Sequence, residues 1–140
     1  MLVVREPCAP TSQDTEVSVS CVILDNSTIT SALIHYSIDG GVYQTSAMYS
    51  DADSLWTGTI PVSNNNDVNY YITATDDGQD QSEPKTSMFP FDIEREQMGF
   101  VVTDNLTIEH IQKTAWPSGI TRYQGCEVTL SGIVTADTSQ

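Results

Sequence analysis

Positive charge is scarce in this 140-residue chain. Five lysines and arginines stand against 19 aspartates and glutamates, which gives a formal net charge of −14. Proteins that bind nucleic acid rely on Lys and Arg to neutralise the phosphates. The composition therefore argues against nucleic acid as a partner of this segment, and it predicts an acidic surface that repels itself at low salt.

Long apolar runs are also missing. No run approaches the roughly 18–20 residues that a membrane helix needs, so we expect no membrane span. The apolar start at residues 1–4 is too short for a secretory signal, whose apolar core has about 7–15 residues. If the protein is exported, its signal peptide is not in this chain.

Sequence patterns for catalysis are absent. His35 and His110 are the only histidines, and neither belongs to a pattern with carboxylates or a nucleophile. The G-x-S-x-G motif of serine hydrolases does not occur. Because one isolated histidine on a strand is weak evidence for acid–base chemistry, we expect no enzyme, no catalytic residue and no residue that binds an organic cofactor.

Cysteine is limited to Cys8, Cys21 and Cys126. No CxxC motif or Cys/His cluster occurs, which argues against a zinc site. One interpretation is a Cys8–Cys21 disulfide, which requires the first segment to fold back so that the two Cα atoms lie about 4.4–6.8 Å apart. The other is three buried thiols, which pack as small apolar side chains.

The clearest positive signal is a strand that runs into a tight turn. Residues 30–38 alternate, with Ala32, Ile34, Tyr36 and Ile38 on one side and Leu33, His35 and Ser37 on the other. Asp39-Gly40 follows directly. This dipeptide is typical of a hairpin turn, because the turn needs positive φ, which glycine adopts without a Cβ clash.

Similar alternation recurs along the chain and predicts about seven short strands. They are expected at residues 2–6, 15–24, 30–38, 42–49, 55–62, 68–75 and 85–93. Turn-forming clusters separate them every ~8–12 residues, and no convincing amphipathic helix is present. The fold class predicted is therefore all-β, an antiparallel sandwich that buries the alternate residues between two layers.

Three runs in the first part of the chain resemble a known kind of module. SALIHYSIDGGVYQTSAM, DSLWTGTIP and VNYYITATDDG are similar to immunoglobulin-like or fibronectin type III-like modules of secreted bacterial proteins. The resemblance covers about residues 4–92 and implies a sandwich domain at 1–93. It also implies an extracellular or cell-surface location, with neighbouring domains of the same polypeptide as partners. The function implied is non-catalytic, as a structural spacer or adhesion module.

The remaining residues predict a linker at 94–102 and a partial second domain at 103–140. Residues 108–114 and 123–136 resemble the opening of an OB-fold barrel of secreted bacterial proteins, sometimes found beside extracellular nucleases. This resemblance implies an alternative role as an accessory domain of a nuclease or hydrolase. A complete barrel needs five strands, so the segment predicts a fragment whose edge at 126–136 is open to self-association.

Acidic loops suggest a further alternative, a calcium-binding module. Asp51, Asp53, Asp76 and Asp77 offer the hard oxygen ligands that Ca²⁺ prefers, and loops of a sandwich gather at its ends. Against this, no EF-hand spacing is present, and Asp is an ordinary turn residue. We expect these four residues to be the metal ligands if Ca²⁺ is bound.

Aromatic residues outside the predicted core suggest carbohydrate as another ligand. These are Tyr43, Tyr49, Tyr71, Trp116 and Tyr123. A row of aromatic rings on a sheet can stack on sugar rings. The competing interpretation is cross-strand packing, in which aromatic residues are also favoured.

Overall fold

The fold is built almost entirely from antiparallel β-strands. The computed structural model describes residues 3–51, 54–79, 83–90, 98–112 and 121–130. The strands are β1 (Val3–Glu6), β2 (Glu16–Val22), β3 (Ile29–Ile38), β4 (Gln44–Ser50), β5 (Leu55–Pro61), β6 (Asp67–Asp76), β7 (Thr86–Phe89) and β8 (Met98–Val101). The short helix α1 spans Ile108–Gln112. The predicted all-β class is confirmed, and no described helix has the length and apolar character needed to cross a membrane.

The strands form one curled sheet in the order β1-β2-β5-β4-β3-β6-β7. Strand β4 joins the two halves of this sheet. Its first part pairs with β3, from Tyr36↔Gln44 to Ala32↔Met48. Its last two residues, Tyr49 and Ser50, pair instead with β5. The sheet therefore curls into a half-barrel, and the inward side chains of its two halves meet.

The core consists of the alternate residues that the sequence pattern placed inward. Each of the long strands β2, β3 and β6 contributes at least three buried apolar side chains, and most of these are almost fully buried. They are Val17, Val19 and Cys21 from β2, Ala32, Ile34 and Tyr36 from β3, and Val68, Tyr70, Ile72 and Ala74 from β6. Burial of these side chains is the main force that holds the curled sheet together.

The predicted turn after β3 is present. Asp39 and Gly40 both have positive φ, at 52° and 75°. The Gly41 amide donates to the Ile38 carbonyl at 2.9 Å, which closes the turn. The Asp39 amide donates to the Asp67 carbonyl at 2.8 Å, so the turn is also fixed to the start of β6. Pairing of β4 begins only at Gln44, which leaves Tyr43 just outside the strand.

The structure differs from the predicted linker at 94–102, because Met98–Val101 is strand β8. It pairs with the first part of β6, from Asp67↔Val101 to Tyr70↔Met98. Strand β7 covers only the second part of β6, from Ile72 to Thr75, so the first part has a free edge that β8 fills. Phe100 is fully buried on the same core. Residues 94–97 lie outside the described part of the chain.

Residues beyond β8 also contribute to this core. Leu106 and Tyr123 are buried with the side chains of the sheet, and Val128 packs against the same core. Residues 126–130 form no strand, and residues 131–136 lie outside the described ranges. The division of the chain at residues 93 and 103, and self-association through 126–136, therefore stay predictions.

The disulfide joins Cys8 to Cys126, with a Cα–Cα distance of 5.8 Å. Cys21 is a free and buried thiol, and its burial raises its pKa to about 11. Both cysteine interpretations made from the sequence are therefore wrong. Strand β1 does fold back on β2, but its register places Val3 opposite Cys21. Cys8 follows the other end of β1, so it lies near the start of β2 and away from Cys21.

Two arginines reinforce the attachment made by the disulfide. Arg5 Nε donates to the Cys8 carbonyl at 2.8 Å, and its Nη2 donates to the Arg122 carbonyl at 3.0 Å. The Arg5 guanidinium also lies over the rings of Phe100 and Tyr123, 5.4 and 5.1 Å from their centroids. Such cation–π contacts are stabilising, so Arg5 binds β1 to the later part of the chain.

The second of these residues, Arg122, is buried against β6 and β8. Its Nη1 forms an ion pair with Asp67 at 2.7 Å and donates to Asn69 Oδ1 at 3.0 Å. Gly99 of β8 makes the close approach possible. A Cβ at Gly99 would lie 2.1 Å from the Val68 carbonyl oxygen and 3.0 Å from Arg122 Nη1.

Candidate functional site: an aromatic outer face

Three of the four acidic residues predicted to bind calcium, Asp51, Asp76 and Asp77, lie at one end of the sheet. Asp76 Oδ1 accepts hydrogen bonds from the amides of Gly78 and Lys85, at 2.8 and 2.9 Å. Asp77 Oδ1 accepts from the Gln79 amide at 3.2 Å, as is usual for aspartate in turns. Asp51 follows β4 at the same end, and Asp53 lies outside the described residues.

A metal site is not apparent in the described part of the chain, where no three His, Cys, Asp or Glu side chains cluster suitably. The oxygen of Asp76 that holds the turn is already used by two backbone amides. Calcium binding by Asp51, Asp53, Asp76 and Asp77 stays a prediction. A thermal melt with and without a chelator tests it.

A group of aromatic residues lies on the outer face of β3, β4 and β6. The outward positions alternate with the buried ones, so inward Ile34 and Tyr36 leave His35 outward on β3. His35 pairs with Thr45 of β4 on one side and with Tyr71 of β6 on the other. We call the surface formed by Tyr43, Thr45, His35, Tyr71 and Thr73 the aromatic face.

The rings of the aromatic face are in direct contact. His35 and Tyr71 are stacked, with their centroids 4.5 Å apart and their planes 2° from parallel. Tyr43 meets Tyr71 edge to face, at 5.2 Å and 62°. His35 Nε2 is 2.8 Å from Thr73 Oγ1. These contacts hold the rings in place, and Tyr43 remains 48% exposed to solvent.

The aromatic face carries no charge at neutral pH. None of its residues is acidic or a strong base, and burial lowers the pKa of His35 from its ordinary value of 6.5. Ring faces can pack against the C–H groups of a ligand, while the tyrosine and threonine hydroxyls both donate and accept hydrogen bonds. The arrangement can therefore bind a polar, uncharged molecule.

The lowered pKa of His35 predicts a dependence of stability on pH. A histidine whose pKa is lower in the folded state adds stability above its unfolded pKa, and this is lost as the pH falls below about 6.5. The groups facing it from β4 and β6 are Thr45, Tyr71 and Thr73, none of them charged at this pH. Between pH 7 and pH 5, the melting temperature of the wild type should therefore fall more than that of His35→Gln. Equal slopes in the two proteins would contradict this prediction.

The other aromatic residues proposed from the sequence occupy different positions. Tyr49 is 74% exposed, whereas Tyr123 is only 3% exposed. Tyr123 was wrongly expected at the surface. Its ring lies under Arg5, and its hydroxyl accepts a hydrogen bond from the Val101 amide at 2.8 Å. Trp116 lies outside the described residues.

The sequence prediction missed His35 as part of the site. It considered the two histidines only as candidates for acid–base chemistry, whereas His35 forms a cross-strand pair with Tyr71. The available signal was the outward position of His35 on β3. What was lacking was the pairing of β3 with β6, which brings together residues 36 positions apart along the chain.

Comparison with known families gives a match over the first part of the chain. The model of carbohydrate binding module family 56 matches residues 11–83, from just before β2 to beyond β6, and includes every residue of the aromatic face. No curated protein matches the chain. The immunoglobulin-like, fibronectin type III-like and OB-fold resemblances stay predictions. Because the match covers more than half of the sequence, the chain belongs to carbohydrate binding module family 56.

Proposed function

We propose that this protein is a non-catalytic module that binds carbohydrate through the aromatic face. The observation that carries the proposal is the contact group of Tyr43, Tyr71 and His35 on an uncharged outer surface, within the residues matched by the family. This uncharged aromatic surface favours carbohydrate binding over a role as a purely structural or adhesive spacer.

The distribution of charge supports an uncharged sugar as the ligand. Charged residues in the described strands lie mainly at strand ends, as Glu16, Asp67 and Asp76 do. A ligand on the aromatic face therefore buries no carboxylate, which would be costly. The net charge of −14 also disfavours approach of an anionic polysaccharide.

The disulfide supports an extracellular location. Disulfides form and persist in oxidising compartments and are rare in the cytosol. A binding module without its own chemistry would act for other domains of the same polypeptide, and it would hold them near the polysaccharide. The strand order, with β1-β2-β5 and β4-β3-β6-β7 as its halves, is compatible with the immunoglobulin-like sandwich that the sequence resemblance implies.

Substitution of the two tyrosine rings of the aromatic face tests the proposal. Tyr43→Ala and Tyr71→Ala should each weaken binding of a neutral polysaccharide by about tenfold or more, because central tyrosines often dominate interface energy. A glycan array of neutral plant and microbial polysaccharides first identifies the ligand. Isothermal titration calorimetry then measures the affinity of each variant.

Val42→Ala is the matched control for Tyr43→Ala. Val42 is the preceding residue, is 83% exposed and belongs to none of the ring contacts. We expect its affinity to equal that of the wild type. The proposal fails if the array shows no binding, or if Tyr43→Ala and Tyr71→Ala bind normally while thermal melts show that they are folded.

A further inference from the structure

Tyr49 is an exposed aromatic residue that the packing of the sheet does not explain. It is 74% exposed, and among the described residues no aromatic ring packs against it. Its backbone pairs with Thr57 where β4 joins β5. A ring with this exposure adds little to the core and leaves most of its apolar surface in contact with solvent.

Tyr49 lies on the same side of β4 as the aromatic face. Side chains alternate along a strand, and Met48 is buried, so Thr45, Ala47 and Tyr49 point outward. Tyr43 precedes the strand and lies on the same face, because its ring contacts Tyr71 edge to face. At ~3.3 Å per residue, the six-residue spacing places the Cα atoms of Tyr43 and Tyr49 about 20 Å apart. Thr45 and Ala47 between them are exposed and small. These four residues form a continuous uncharged surface, which we call the β4 strip.

We propose that the β4 strip is one extended site in which Tyr49 is a second contact for the sugar chain, about 20 Å from the contact at Tyr43. This inference rests on the proposed function, because it assigns the chain length of the ligand at the same site. One part of the chain contacts Tyr43 and Tyr71, and a part several sugar units away contacts Tyr49.

The two contacts reinforce each other because the sugars are covalently linked. Once the first part of the chain is bound, the second contact is intramolecular and occurs at high effective concentration. A ligand too short to span about 20 Å engages only one end of the strip. The affinity should therefore rise in a step at the chain length that first reaches both ends.

A ladder of oligosaccharides tests this inference. The ladder, from monosaccharide to octasaccharide, is cut from the neutral polysaccharide that binds best on the array, and calorimetry measures each affinity. For the wild type we expect a step of about tenfold or more as the chain lengthens. Tyr49→Ala should remove the step and leave the affinity for short ligands unchanged. Tyr43→Ala should weaken short and long ligands alike.

Two results would overturn the inference while the proposed function stands: affinity that does not depend on chain length, or unchanged binding of long chains by Tyr49→Ala. Absence of binding by every sugar overturns both proposals. Because Tyr49 is so exposed, Tyr49→Ala should melt at nearly the wild-type temperature. Val42→Ala again serves as the control, with a wild-type step.

Discussion

Loss of the Cys8–Cys126 disulfide is expected to reduce the free energy of unfolding by about 2–4 kcal/mol, close to the loss typical for a native disulfide. The bridge spans 118 positions of sequence, and the entropy that it removes from the unfolded chain grows with loop length. For a domain of this size, the melting temperature should fall by on the order of 10 °C. Urea unfolding of the double variant Cys8→Ser/Cys126→Ser measures the change.

Free Cys21 complicates this experiment, because it could exchange with either member of the bridge under mild reduction. The comparison is therefore made in a Cys21→Ala background, in which only the native disulfide can form. Without the bridge, backbone amide hydrogen exchange should increase more in β8 than in β5. Strand β8 lies in the later part of the chain, which the bridge attaches to the segment after β1. Equal stability with and without the bridge would contradict the prediction.

The substitution Gly99→Ala is expected to cost about 3 kcal/mol or more, at the upper end of the range for overpacking. Its Cβ would lie 2.1 Å from the Val68 carbonyl oxygen, and backbone cannot give way as a flexible side chain can. Strand β8 must then move away from β6, which also disturbs the contacts of Arg122. Thermal and urea unfolding measure the loss.

Gly125→Ala is the control for Gly99→Ala. A Cβ at Gly125 meets no atom within 4 Å, but its φ is +81°, a conformation that costs an L-residue roughly 1–2 kcal/mol. The control therefore isolates the cost of backbone conformation from that of a clash. If the two variants lose the same stability, the close contact between β8 and β6 is not as important as the geometry indicates.

The sequence predicted the sheet well because burial follows alternation directly. Val17, Val19 and Ile60 are fully buried, as their positions on β2 and β5 indicated. The same pattern could not reveal β8, a four-residue strand directly after a charged segment. Its pairing depends on the edge that β7 leaves free on β6, and this is a property of the assembled sheet.

The candidate site was only partly predictable for a related reason. Tyr43 and Tyr71 were recognised as aromatic residues outside the core, but their contact depends on the order of β4, β3 and β6. The covalent bridge was missed because the sequence contains no local sign that residues near 126 return to β1. Non-local pairings of this kind are fixed by the packing of the whole chain.

The link between Cys8 and Cys126 also determines how the protein carries a mechanical load. Tension applied before Cys8 and after Cys126 runs through the disulfide and bypasses the chain between them, over a sequence separation of 118. Stretched out, that segment would measure on the order of 400 Å, and none of it can be drawn out while the bond is intact. The module would thus hold the aromatic face in shape under pulling forces that unravel an unbridged sheet.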